Sequence, residues 1–419
     1  MTNLTQKPFK QFFGAIRTIT LALFLMTLGA NAALAQTKGY VTNADDNTVS
    51  VIDTATQAVV ATVPVGGFPR GLALTPNGAF VYVANLNDNS VSVISAATNT
   101  VTATVPAGSG PFDVAITPNG AFVYVTNQFG GTVSVIDTAT NTVIATVPVG
   151  VSPFGVAITS NGAFAYVANL GTMDVSVIST TTNTVVATIV GVSPACIAIT
   201  PDGAFAYVTN SFTNSVTVID TATNTISTLI PVGLFPVDID ITPNGGFAYV
   251  ANVAGNTVSV IDTSTNTVIA TVPAGPGSGG VAVTPDGAFA YVVNSFGNTL
   301  SVIDTATNTI TATIPVGQRP LFMAFPKSQS AQNQIASLIN QIQALIAAGT
   351  LTQDQGDGLI DKLTEVIAKL DSNQTVGACN QLNSFINQVN GFINIGVLTQ
   401  AEGQSLLDAV NAIQIDIGC

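Results

Sequence analysis

The motif Tyr-Val-x-Asn begins at Tyr40, Tyr82, Tyr124, Tyr166, Tyr207, Tyr249 and Tyr291, at spacings of 42, 42, 42, 41, 42 and 42 residues. A fixed period of this length means that one supersecondary unit buries its apolar face only against copies of itself. Each copy continues through V-S-V-I-D/S, T-A-T-N-T and V-x-A-T-V-P-V-G segments to a Pro-led G-V-A-I-T-P stretch. Its four short runs of Val, Ile, Thr and Tyr, separated by Asn, Gly, Asp and Pro clusters, read as four strands. Turns such as Pro118-Asn119-Gly120 and Pro201-Asp202-Gly203 supply a preset φ and then residues that tolerate positive φ.

Four strands in about 42 residues is the period of a propeller blade, whereas the coils of a parallel β-helix are shorter and need no hairpins. The phase of the repeats predicts how the ring closes. The ordered strands begin at Tyr-Val-Thr-Asn and end at Leu321-Phe322-Met323-Ala324-Phe325, in the place of the G-V-A-I-T strand. One blade therefore combines the last strand with the first three, and no open edge remains. The expectation is a mainly β, seven-bladed β-propeller over residues 36–326. A small all-α domain over residues 327–419 follows.

That second domain is itself duplicated. Ile335, Leu338, Ile339, Ile342, Leu345 and Ile346 fall at helical spacing, and Leu382, Phe385, Ile386, Val389, Phe392 and Ile393 repeat the same face 47 residues later. Two αα-hairpins are predicted, with Thr352/Gln355 and Thr399/Glu402 as capping boxes. Cys379 and Cys419 fall at neighbouring ends of an antiparallel helix pair, so a disulfide is read between them. Cys196 stands alone in an inner strand and reads as a small buried hydrophobe.

Of the 419 residues, 47% are hydrophobic and 7% charged. Outside the N-terminus the apolar runs are broken by Thr, Asn or Gly, so they read as buried strands and no membrane span is expected. Residues 1–35 read as a secretory signal peptide: Lys7, Lys10 and Arg17, then the apolar Ile19–Leu28, then Ala33-Leu34-Ala35. Its loss takes the net charge from −13 to −16, because it holds three basic and no acidic residues. So acidic a chain, without a basic stripe, is a poor partner for nucleic acid.

The repeats YVTNADDNTVSVIDTATQAVVATVPVG and YVANVAGNTVSVIDTSTNTVIATVPAG resemble the YVTN β-propeller repeats of bacterial and archaeal surface and periplasmic proteins. In that family the G-V-A-I-T-P strand is innermost, beside the central channel. The tail, with ACNQLNSFINQVNGFINIGVLTQAEGQSLLDAVNAI and a terminal Gly418-Cys419, resembles the FIMAH domain, which implies an accessory role in attachment. A fold resemblance implies function far less firmly than fold.

With that strand innermost, one axial ring is Gly71, Asp113, Gly155, Cys196, Asp238, Gly280 and Phe322, and Asp240 stands in the next. The carboxylates Asp113, Asp238 and Asp240 are candidate ligand-binding residues, and their plain structural reading is solvated channel acids. Loops between blades add Phe68, Phe112, Phe235, Arg70 and Arg319, the two arginines as candidate anion contacts. Phe129, Phe212 and Phe296 sit in a second set of loops. Asp53, Asp137, Asp220, Asp262 and Asp304 recur at one turn and read as caps.

The chain has no His to serve as a proton shuttle or haem ligand. These features lead to the expectation of a non-catalytic binding or scaffold protein, secreted to the exterior, cell surface or periplasm. Its expected partner is an envelope protein or polysaccharide, with no cofactor or metal. The alternatives are a lactonase-like or metal-assisted hydrolase using the channel carboxylates, and a structural surface-layer or adhesion protein.

Overall fold

A computed structural model describes residues 38–326, 331–371, 374–417 and 419. The expected signal peptide, residues 1–35, lies outside the described residues. Strands from Lys38 to Ala324 form seven sheets of four strands each. Blade 1 comprises Pro69–Leu74, Phe80–Asn85, Ser90–Ser95 and Thr100–Pro106, from channel to rim. Blades 2 to 6 repeat this order with inner strands Pro111–Ile116, Pro153–Ile158, Pro194–Ile199, Pro236–Ile241 and Ser278–Val283. Blade 7 joins Pro320–Ala324 to Lys38–Asn43, Thr48–Asp53 and Ala58–Pro64. Tyr40 pairs with Ala324 and Val41 with Met323, so the two ends of the domain close the ring as the repeat phase requires.

The core lies between blades. Tyr82, Val91 and Val93 of blade 1 pack with Val114, Val123, Val125 and Ile136 of blade 2, and the same arrangement recurs around the ring. Second and third strands are buried on both faces, and the Asn, Ser and Thr they bury among Val and Ile hydrogen-bond one another, as Asn127 does with Thr132 and Ser134. The rim strands are largely exposed, with one buried Val or Ile near the end of each.

Two devices recur around the ring, although Ser95 and Ser179 replace the Asp of the first and Gly131 and Met173 the Asn of the second. Asp53 Oδ1 accepts from the N–H of Ala55 at 2.9 Å and of Thr56 at 3.0 Å. Asp137, Asp220 and Asp262 bond their own turns in the same way, so the recurrent Asp is a turn cap. On the opposite face Asn47, Asn89, Asn214, Asn256 and Asn298 adopt positive φ, which Asn tolerates better than most residues. Their Oδ1 atoms accept from the N–H groups of Phe68, Gly110, Phe235, Gly277 and Arg319 in the neighbouring interblade loops.

Four helices follow: α1 (Ala331–Ala347), α2 (Gln353–Asp371), α3 (Thr375–Asn394) and α4 (Gln400–Ile417). Their shared core includes Leu338, Ile342, Leu363, Leu382, Phe385, Leu406 and Val410. Both capping boxes form. Thr352 N–H donates to Gln355 Oε1 at 2.9 Å, and Thr399 N–H to Glu402 Oε2 at 2.8 Å. Gly356 and Gly403 lie against Ile346 and Ile393 where the paired helices approach closely. Cys379 and Cys419 form a disulfide with Cα atoms 5.6 Å apart. None of the described helices is long and apolar enough to cross a membrane.

Candidate functional site in the propeller channel

The seven inner strands crowd the axis, so each blade leaves room for the next. A Cβ on Gly71 would collide with Asp113, and one on Gly155 would stand 2.7 Å from Cys196 Cα. Glycine in the axial ring is what lets a larger side chain from the next blade lean over it.

The three carboxylates are fixed by that crowding. Asp113 Oδ1 accepts from Val114 N–H at 2.8 Å, and its Oδ2 from Val156 N–H of blade 3 at 3.0 Å. Asp238 accepts from Ile239 and, across the blade boundary, Val281, both at 2.9 Å. Asp240 accepts from Ile241 at 3.0 Å and Val283 at 2.9 Å. Asp238 is buried rather than solvated, Asp113 and Asp240 are half-exposed, and each carboxylate joins two inner strands through backbone N–H groups.

Asp113, Cys196 and Asp238 share one layer of the channel and interact electrostatically. Burial raises the Asp238 carboxyl from 3.8 to about 7, against the lowering effect of the Val281 N–H and the Cys196 thiol. The same burial, with Asp238 and Asp113 nearby, pushes the Cys196 thiol well up, and the thiol hydrogen-bonds Asp238. Cys196 is therefore buried, as expected, and is also a polar partner. Asp240 lies two residues further along the same strand, one layer deeper.

At the mouth, Arg70 is sandwiched between aromatics. Its guanidinium carbon is 4.8 Å from the Phe68 ring centroid and 4.9 Å from that of Phe112. Arg319 reaches the same Phe68 ring at 5.1 Å and pairs with Asp45 at 3.5 Å. Phe112 continues to Phe154 and Phe322, at centroid distances of 4.2 and 6.0 Å. Burial, with Arg319 adding repulsion, pushes Arg70 down to about 10, so it remains a cation at neutral pH. Phe68, Phe235 and Arg319 each hold a left-handed φ of 50–55° immediately before a proline, a strained conformation for such side chains.

The structure thus brings Arg70, Arg319, Phe68 and Phe112 into one cluster. Phe235 stands apart, in a T-shaped contact with Phe212 at 6.1 Å. Sequence reasoning missed Phe154, whose signal was the repeated Pro-Phe pair opening the inner strands of blades 2 and 3. Phe129, Phe212 and Phe296 are exposed by 66%, 62% and 73%. The acids of the Asp45-Asp46-Asn47 and Asn87-Asp88-Asn89 loops serve neighbouring loops: Asp46 accepts from Gln318 N–H at 2.7 Å, and Asp88 from Gly67 N–H at 2.6 Å. Among the described residues no group of three His, Cys, Asp or Glu side chains is placed to hold a metal ion. A cavity of about 360 Å³ between blades 6 and 7 is lined by Asp46, Thr48, Ser50 and Gly317, away from the channel carboxylates.

Residues 95–271 match the family model described as lactonase, 7-bladed beta-propeller. No curated protein matches the chain. Among solved structures, Kuenenia stuttgartiensis hydrazine synthase is 25% identical, with 64% of this chain and 92% of that chain covered and a TM-score of 0.60. A functionally unknown protein from Desulfotomaculum acetoxidans is 19% identical, covering 69% and 98%, with a TM-score of 0.62. A putative 6-phosphogluconolactonase from Bacteroides uniformis is 17% identical, covering 69% and 99%, with a TM-score of 0.61. Likeness at these last two identities speaks to the fold alone. The lactonase match corrects the expectation of a non-catalytic binding or scaffold protein and favours the hydrolase alternative. The chain is a seven-bladed β-propeller protein, similar across residues 95–271 to the lactonase propellers.

Proposed function

We propose that the chain is a lactonase-like hydrolase acting at the mouth of the propeller channel. One observation carries this reading: the segment that matches the lactonase model, residues 95–271, contains Asp113, Cys196, Asp238 and Asp240. In the proposed reaction, water attacks the lactone carbonyl and gives its proton to Asp113, whose carboxylate is held by two backbone N–H groups. The ring C–O bond then breaks. Asp238, which burial keeps partly protonated near neutrality, supplies a proton to the departing alkoxide, and the product is a hydroxy acid. Two carboxyls in one layer, one of them raised by burial, are suited to such a division of labour.

Export is proposed as well. It is supported by the charge and apolarity of residues 1–35 and by the Cys379–Cys419 disulfide, which favours an oxidising compartment. The YVTN-like repeats and the FIMAH-like tail fit an exported enzyme carrying an accessory module.

The test is turnover by the purified full chain on a panel of γ- and δ-lactones and simple esters, followed by acid release with background hydrolysis subtracted. Catalysed opening of at least one lactone is expected. Rates equal to background across the panel would refute the proposal.

A further inference from the structure

The mouth of the channel holds two arginines in a chain with nine Lys and Arg residues and a net charge of −13. Both guanidinium groups face the same Phe68 ring, at 4.8 and 5.1 Å. Bringing like charges around one ring costs free energy unless an anion lies within reach. Asp45 offsets Arg319 at a solvent-exposed position. No carboxylate among the described residues pairs with Arg70, and its Nε is buried without a hydrogen-bond partner. A buried donor left unsatisfied costs about 1–3 kcal/mol, so the chain itself does not satisfy this guanidinium.

The chemistry of that ligand follows from which surfaces of Arg70 are covered. Phe68 and Phe112 rings stack at the guanidinium, leaving the in-plane N–H edge for hydrogen bonding. A planar carboxylate matches such an edge with two parallel bonds. Around it the cluster is apolar: Phe112 is buried, and the Phe154 and Phe322 rings beside it are half-buried. A sugar body would set hydroxyl groups against these rings without partners, whereas an aryl or alkyl body would bury favourably. The left-handed backbone at Phe68 and Arg319 is clamped by Asn47 and Asn298, so two of the contacting residues are set before any ligand arrives.

We infer that Arg70, Arg319, Phe68 and Phe112 form a binding site for a carboxylate carried on an apolar body. This inference does not rest on the hydrolase reading, because it concerns binding and is read without turnover.

The probe is phenylacetate, titrated calorimetrically into the full chain, with 2-phenylethanol and inorganic phosphate as comparisons. Phenylacetate is expected to bind about tenfold or more tightly than either, since one lacks the charge and the other the apolar body. Arg70→Gln is expected to weaken phenylacetate by about tenfold, and the more exposed Arg319→Gln by a smaller factor, with the melting temperature of Arg319→Gln unchanged. If Arg70→Gln fails to fold, Arg319→Gln alone decides. Absence of phenylacetate binding, phosphate binding as tightly as phenylacetate, or binding unaffected in a folded Arg319→Gln protein would overturn the assignment.

Discussion

Tyr82 Oη donates to Asn141 Oδ1 at 2.7 Å, tying the second strand of blade 1 to a turn of blade 2 that lies 59 residues away. The bond recurs from Tyr124 to Asn183, Tyr166 to Asn224, Tyr207 to Asn266 and Tyr249 to Asn308. Burial pushes these phenols up to about 12, so they remain protonated donors. At the next step Gln57 occupies the place of the Asn, and Tyr291 Oη is buried without a partner.

Replacing Gln57 by Asn should restore the missing bond at the closing blade. Gln57 already holds a positive φ of 52°, which Asn accepts more readily. A gain of about 1 kcal/mol is expected, measured as a shift in the denaturation midpoint at unchanged slope. Unchanged or lowered stability would count against this reading of Tyr291.

Asp238 makes stability depend on pH in an unusual direction. Burial raises its carboxyl from 3.8 to about 7, so the folded chain binds this proton more tightly than the unfolded chain does. The associated stability is fully present below about pH 4 and is lost as pH rises through 7, by up to about 4 kcal/mol. Thermal melts between pH 4 and 8 should show this loss, and Asp238→Asn should flatten the curve in that window. A variant with the same slope as wild type would assign the pH dependence elsewhere.

Gly71 has no room for a side chain. An added methyl would meet the Asp113 carboxylate and the backbone of the next blade, with Phe112 O at 3.0 Å, and backbone cannot move aside as a side-chain end can. Gly71→Ala is therefore expected to cost about 1–3 kcal/mol, read by chemical denaturation. A neutral effect would show that the inner strands can separate cheaply.

The helical domain depends on its cross-link. Cys379 and Cys419 are 40 residues apart, and a closed loop of that size stabilises by about 4 kcal/mol in the chain-entropy model. Protease susceptibility of the helices in Cys379→Ser/Cys419→Ser protein should rise strongly relative to the intact chain. Equal resistance would mean that the apolar core suffices.

Much of the architecture was legible because it repeats. Seven copies of one strand pattern determine blade number and ring closure, since both depend on local turn chemistry and phase, whereas the inner strand came from the resemblance to the YVTN propellers. The duplicated helix faces and capping boxes were legible for the same reason. The site was legible only in part. Asp113, Asp238 and Asp240 break the small-residue pattern of the axial rings, so they stand out. Their bonds to Val156, Val281 and Val283 depend on how neighbouring blades stagger, which no single repeat encodes. Likewise the gathering of Phe68, Arg70 and Arg319, and the separation of Phe235 from them, follow from the circular arrangement of loops distant in sequence.

The most direct measurement compares lactone hydrolysis by wild type and Asp113→Asn, each checked for an intact melting transition. Loss of the carboxylate that accepts the water proton is expected to lower kcat/KM by about 100-fold or more. Asparagine keeps an acceptor for one of the two backbone N–H groups and turns a donor toward the other, which is why the melting transition is checked beside the rate. Lactone opening by wild type and its collapse in folded Asp113→Asn is the predicted result. Equal rates in the two proteins, or none above background in either, would contradict a hydrolytic site in the channel mouth.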